Sequence, residues 1–178
     1  MPFADVAPSA YYADAVAWAL ENEITEGTSA TAFGPNAQCT RAQVVTFLWR
    51  AAGSPEAKSA SSFSDVAAGS YYADAVAWAV ENKITTGTSA TAFSPDGSCT
   101  RAQVVTFLFR FAAAQGMEAV TLEENLTSFS DHAQAPAYAV SALNWAVGQG
   151  ILQGSGGKLL PNDTCTRAQV VTFLYRSK

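Results

Sequence analysis

The chain has 178 residues, 49% of them apolar and only 14% charged, where an average soluble domain carries roughly 25% charged residues. Ten Lys and Arg against fifteen Asp and Glu leave a net charge of −5, which argues against a basic surface for nucleic acid. No apolar run approaches the roughly 18 residues of a bilayer span, so membrane insertion is not expected.

The sequence repeats itself. Phe3-Ala-Asp5-Val returns as Phe63-Ser-Asp65-Val and, altered, as Phe129-Ser-Asp131-His. Tyr11 to Trp18 returns as Tyr71 to Trp78 and more loosely as Tyr138 to Trp145, and Cys39 to Leu48 returns as Cys99 to Leu108 and Cys165 to Leu174. Between residues 1–50 and 61–110, 36 of 50 aligned positions are identical, and the spacing is 60 residues between the first two copies and 66 between the last two. The expected repeats are 1–60, 61–126 and 127–178, together forming one compact module. Residues 51–62 are small and turn-forming, as in a connector. Residues 112–125 are longer and acidic (Glu118, Glu123, Glu124) and are expected to begin by extending the preceding helix.

Each repeat predicts two helices. The first spans about residues 13–22, where Tyr12, Ala15, Val16, Ala19 and Leu20 share a face opposite Asp14 and Glu21. Gly27 then supplies a turn position suited to positive φ. Phe33 is the inward anchor of the following loop, and Pro35 breaks it. The second helix starts after Thr40 and is apolar nearly all round (Val44, Val45, Phe47, Leu48, Trp49), as a buried helix is. Three such helices predict a central bundle with the first helices outside. With no strand pattern present, the fold class is all-α.

Thr40-Arg-Ala-Gln43 reads as a capping box, as do Thr100 with Gln103 and Thr166 with Gln169. Arginine at the next position is harder to explain. Arg41, Arg101 and Arg167 sit at the positive end of the helix dipole, which disfavours a cation by roughly 0.3–1 kcal/mol. Two readings remain open: an anion site for a carboxylate or phosphate, or an ion pair with Asp5 and its equivalents. Arg50, Arg110 and Arg176 lie toward the other helix end, where a structural role suffices.

Trp18 falls about 140° from the centre of the apolar face. The same position recurs as Trp78 and Trp145, and suits either packing between repeats or a stacking platform for a sugar. Asp5, Asp65 and Asp131 either cap a turn or pair with an arginine. Cys39, Cys99 and Cys165 have no metal-ligand spacing and read as buried free thiols, so no metal is expected. His132 is unrepeated and has no catalytic companion. Neither an enzyme nor a cofactor is expected.

With the Phe-x-Asp-Val start, the aromatic helix, the Gly turn, the Phe-x-Pro loop and the Thr-Arg-Ala-Gln helix in order, the chain from Phe3 to Arg176 resembles three tandem S-layer homology (SLH) domains. The resemblance implies a pseudo-threefold module with a central three-helix bundle and three peripheral helix-loop prongs. It implies anchoring of bacterial surface proteins to secondary cell-wall polysaccharide, often pyruvylated, held in grooves between repeats. The location it implies is extracellular, at the cell wall or S-layer. The family motif is Ile-Thr-Arg-Ala-Glu, whose Arg contacts ligand, so that role is carried onto Arg41, Arg101 and Arg167. Here Cys stands for Ile and Gln for Glu. Losing that acid is expected to leave each Arg more attractive to a carboxylate. The candidate carbohydrate contacts are these arginines with Gln43, Gln103, Gln169, Asp5, Asp65, Asp131, Trp18, Trp78 and Trp145.

The third repeat diverges most: His132 replaces Val, Ser141 replaces Asp, Gly148 replaces Glu, and its loop is one residue shorter. Its groove is expected to differ. A competing reading is a protein-interaction or self-assembly module, whereas the anchoring reading expects a monomer. No secretion signal precedes the first motif, so the expectation is a fragment of a longer surface protein.

Overall fold

The computed structural model describes residues 1–117 and 123–178; Glu118 of the second connector lies outside them. Six α-helices, and no strand, occur among the described residues: α1 (Ala13–Glu21), α2 (Arg41–Ala51), α3 (Ala73–Glu81), α4 (Arg101–Ala114), α5 (Val140–Gly148) and α6 (Arg167–Arg176). Three 3₁₀ turns lie at Glu123–Leu126, His132–Gln134 and Ala137–Ala139. The all-α expectation holds, and α4 does run on into the second connector.

The even helices begin where the capping boxes place them. The Thr40 hydroxyl accepts the Gln43 N–H at 3.2 Å while the Thr40 N–H donates to Gln43 Oε1 at 3.1 Å, and both bonds recur at Thr100 and Thr166. A cap of this kind contributes roughly 0.5–2 kcal/mol. The outer helices start on Tyr12, Tyr72 and Ala139 without a side-chain cap. α1 stops by a Schellman turn, with the Ile24 N–H bonded to the Ala19 carbonyl at 2.8 Å and the Glu23 N–H to Leu20 at 3.1 Å. The left-handed residue of that turn is Glu23 in the first repeat and Lys83 in the second, and only the third uses a glycine, Gly150. The expected Gly27 turn is also present, at φ 84°, one step further on.

The helices interlock between repeats. α2, α4 and α6 pack against one another at the centre. Each outer helix rests on the central helix of the preceding repeat: α3 on α2, α5 on α4, and α1 on α6, which closes the ring. The aromatic pairs follow, with Trp18 5.6 Å from Tyr175 and Trp145 5.5 Å from Phe109 between ring centroids. Phe33, Phe93 and Leu159 anchor the loops in a core shared by all three repeats.

At the hub the three cysteines meet through their backbones. Cys39 N–H donates to the Cys165 carbonyl (2.9 Å), Cys99 N–H to Cys39 (3.1 Å) and Cys165 N–H to Cys99 (2.8 Å). The thiols are free and fully buried, as expected. Burial raises all three, Cys99 and Cys165 to about 12.

One departure of the third repeat has a packing cause. A β-carbon at Gly148 would lie 2.8 Å from Asn125 Nδ2, and that nitrogen donates to the Asn144 carbonyl at 3.0 Å. Gly148, in place of the Glu of the other copies, makes room for the second connector to dock on α5.

Candidate functional site

Each repeat builds its loop around one aspartate. The Asp5 carboxylate accepts the Phe33 and Gly34 N–H groups, both at 2.8 Å. Asp65 accepts Phe93 (2.9 Å) and Ser94 (2.8 Å), and Asp131 accepts Leu159 (2.7 Å) and Leu160 (2.9 Å). The Phe33 and Phe93 N–H groups hold Asp5 and Asp65 below the usual carboxylate value. At Asp131 burial pushes upward, but the Leu159 and Leu160 N–H groups outweigh it. Of the two sequence readings, turn capping is the one the hydrogen bonds follow.

The loop so held then receives an arginine from another repeat. Nε of Arg167 donates to the Phe33 carbonyl at 2.9 Å, Arg41 to Phe93 at 2.8 Å and Arg101 to Leu159 at 2.9 Å. Each guanidinium also lies against aromatic rings. Arg41 Cζ is 4.9 Å from the Phe93 centroid and 5.2 Å from Phe107. Arg167 is 4.9 Å from Phe33 and 5.3 Å from Phe47, and Arg101 is 5.4 Å from Phe173. Such contacts favour a desolvated cation. Burial lowers all three arginines from their usual value, yet a guanidinium starting that high stays charged at neutral pH. The ion pair to Asp5, Asp65 or Asp131 is not formed: the ion pairs among the described residues are Arg50–Glu26 and Lys58–Glu81. The helix-start arginine leaves its own helix, bonds an uncharged carbonyl next door and lines a groove.

Three grooves result, of about 420, 420 and 440 Å³. Groove 1 lies along α2, between Arg167 at one end and Arg50 at the other, with Gln43, Thr46 and Phe47 as its floor and Tyr71 at its edge. Groove 2 repeats the pattern along α4, with Arg41, Arg110, Gln103, Thr106, Phe107 and Tyr138. Groove 3 does so along α6, with Arg101, Arg176, Gln169, Thr172, Phe173 and Tyr11. Every groove therefore draws on all three repeats: one gives the floor, another the buried arginine, the third the tyrosine. Two guanidiniums, an amide, a threonine hydroxyl and an aromatic edge suit a polar, ring-shaped, anionic ligand.

Gln43, Gln103 and Gln169 are half-buried and line these grooves, with Oε1 committed to the capping box. The tryptophans do not line them. Trp78 and Trp145 are 4% and 2% exposed, and their rings abut Phe111 and Phe109; half-buried Trp18 packs on Tyr175. No face is left on Trp78 or Trp145 for a sugar, because the outer helix turns that side onto the preceding repeat. His132 is exposed at the start of its 3₁₀ turn.

Sequence reasoning missed the tyrosines and the second set of arginines. Tyr11, Tyr71 and Tyr138 are 64%, 61% and 56% exposed, high for aromatic rings. The available signal in the first two repeats was the Tyr-Tyr doublet, whose second member alone fits the apolar face; in the third, Tyr138 stands between two alanines. Arg50, Arg110 and Arg176 do more than end helices, since each closes a groove.

Residues 2–45, 62–105 and 128–171 each match the S-layer homology domain. The chain is 32% identical over 173 residues to the Surface-layer 125 kDa protein of Lysinibacillus sphaericus, covering 95% of this chain and 14% of that one. It is 34% identical over 116 residues to a Cell surface protein of Thermoanaerobacter kivui, covering 65% and 15%. An Amylopullulanase of Thermoanaerobacterium thermosulfurigenes is 28% identical over 165 residues, covering 91% and 9%. The chain thus spans less than a sixth of the length of each of these relatives.

Proposed function

The chain belongs to the S-layer homology domain family, a non-catalytic cell-wall anchoring module of the bacterial surface, and from that premise we propose that its three grooves bind an acidic, pyruvylated secondary cell-wall polysaccharide. The observation that carries this reading is the groove itself. Arg41, Arg101 and Arg167 present guanidiniums buried against aromatic rings, where low dielectric strengthens their attraction for a carboxylate. Gln43, Gln103 and Gln169 offer amides for sugar hydroxyls, and Tyr11, Tyr71 and Tyr138 offer ring faces for the pyranose. Asp5, Asp65 and Asp131 act one step back by fixing the loop that positions each arginine, while Trp18, Trp78 and Trp145 hold the groove walls together. The ring of repeats closes on itself, which supports a monomeric anchor.

The test is co-sedimentation of the chain with purified wall polysaccharide before and after mild-acid removal of pyruvate. The expected outcome is retention on the native polymer and loss of most binding after depyruvylation. A Tyr11→Ala/Tyr71→Ala/Tyr138→Ala variant, altered only at exposed positions, should also bind at least tenfold more weakly while melting like the parent. Equal retention on both polymers would overturn the acidic-ligand reading.

A further inference from the structure

The three grooves share a plan but differ in charge at one residue of the loop that faces α2, α4 or α6. That residue precedes the conserved turn glycine of the repeats: Glu26 before Gly27, Thr86 before Gly87 and Gln153 before Gly154. All three line their grooves and are exposed. In groove 2, Arg110 donates to the Ile84 carbonyl at 3.2 Å, and in groove 3, Arg176 does the same to Ile151 at 3.2 Å. In groove 1, Arg50 instead faces the Glu26 carboxylate at 3.7 Å, and that side chain is 84% exposed. Groove 3 carries an acid elsewhere in its lining, Asp163, whose charge acts on Arg101. The lining of groove 2 holds two arginines and no carboxylate; the loop aspartate behind each buried arginine (Asp5, Asp65, Asp131) acts on it in all three grooves alike and so does not rank them.

We infer that the residue at 26, 86 and 153 sets which groove takes an anionic sugar, and that groove 2 is the preferred carboxylate site of this chain. This rests on the saccharide-binding reading above and adds a ranking to it. In groove 1, Glu26 occupies the field of Arg50, so an incoming carboxylate meets one free guanidinium and a like charge. In groove 2 it meets two guanidiniums. Groove 3 lies between, since Asp163 offsets Arg101 but Gln153 leaves Arg176 unopposed. A unit charge a few ångströms away at a wet surface shifts affinity by about fivefold at physiological salt. The Glu26–Arg50 pair is itself too exposed to matter for stability, so the residue can be exchanged without disturbing the fold.

The experiment is an NMR titration of the 178-residue chain, following the arginine Nε–H and glutamine side-chain amide signals of each groove. The probes are a synthetic amino-sugar disaccharide bearing one pyruvate ketal and its uncharged methyl ester. The Arg41 and Gln103 signals should move at the lowest concentration of the acid, about fivefold before those of groove 1. Thr86→Glu should weaken groove 2 by about fivefold, Glu26→Thr should strengthen groove 1 by a similar factor, and the ester should fill all grooves alike. Groove 1 filling as early as groove 2, or a ranking that persists with the ester, overturns the inference while leaving saccharide binding intact. Signals that respond to neither probe overturn the binding reading and the ranking with it.

Discussion

A β-carbon at Gly87 would stand 2.6 Å from the Ala92 carbonyl oxygen and 2.6 Å from the Phe63 ring, at a φ of 82°. Neither the backbone oxygen nor the packed ring can yield, and the dihedral is one that L-residues avoid. Gly87→Ala is therefore expected to cost about 2–3 kcal/mol in urea denaturation. Gly69→Ala, where nothing lies within 4 Å, should change stability by less than about 0.5 kcal/mol. The Gly turn was legible because its residue type has one physical use there. The left-handed Glu23 and Lys83 were not, since neither residue type signals such a conformation. For the arginines, sequence gave half the answer. A cation at a helix start is unfavourable enough to demand a partner, but the partner, a carbonyl held by another repeat's aspartate, becomes visible only when the repeats are assembled.

Between elements, the repeating device is a relay: carboxylate to loop N–H, loop carbonyl to arginine, arginine to groove. Its first link responds to acid. The folded-state values of Asp5, Asp65 and Asp131 are lowered from 3.8. A group whose folded value is depressed contributes stability above its unfolded value and loses it as pH falls toward the folded one. Thermal midpoints should thus be insensitive to these groups from pH 8 to 5 and drop below about pH 4. Asp65→Asn should lower the midpoint at pH 7 and flatten part of the acid drop; an unchanged acid limb in that variant would exclude the relay as its source. Helix positions were readable from the apolar period and the capping boxes. Which copy each helix face meets was not, because near-identical repeats offer near-identical surfaces. That ambiguity is why the tryptophans looked available to ligand: the side of α1 opposite its own repeat is covered by α6, the last helix in the chain.

For the molecule as a whole, closure distinguishes this arrangement from a linear solenoid, where terminal repeats have one neighbour each. Here every repeat has two, and the cysteine ring joins all three backbones. Unfolding should be a single transition, with circular dichroism and tryptophan fluorescence coincident. The thiols sit at the hub with values raised by burial, so alkylation should proceed at the rate of global opening and label all three cysteines together. Fast labelling of one cysteine in the native protein would show that the ring opens locally.

Closure also brings α1 and α6, which lie far apart in the sequence, into one joint. Groove 3 is assembled across the seam between the first and last helices: Tyr11 comes from just before α1, and Gln169 and Arg176 belong to α6. Lys178 Nζ lies 5.5 Å from the Trp18 ring, so the chain's last residue rests on the same seam. A pull that displaced α6 would reach groove 3, which α6 floors, and also groove 1, which takes Arg167 from it, whereas groove 2 is lined only by residues between Arg41 and Tyr138.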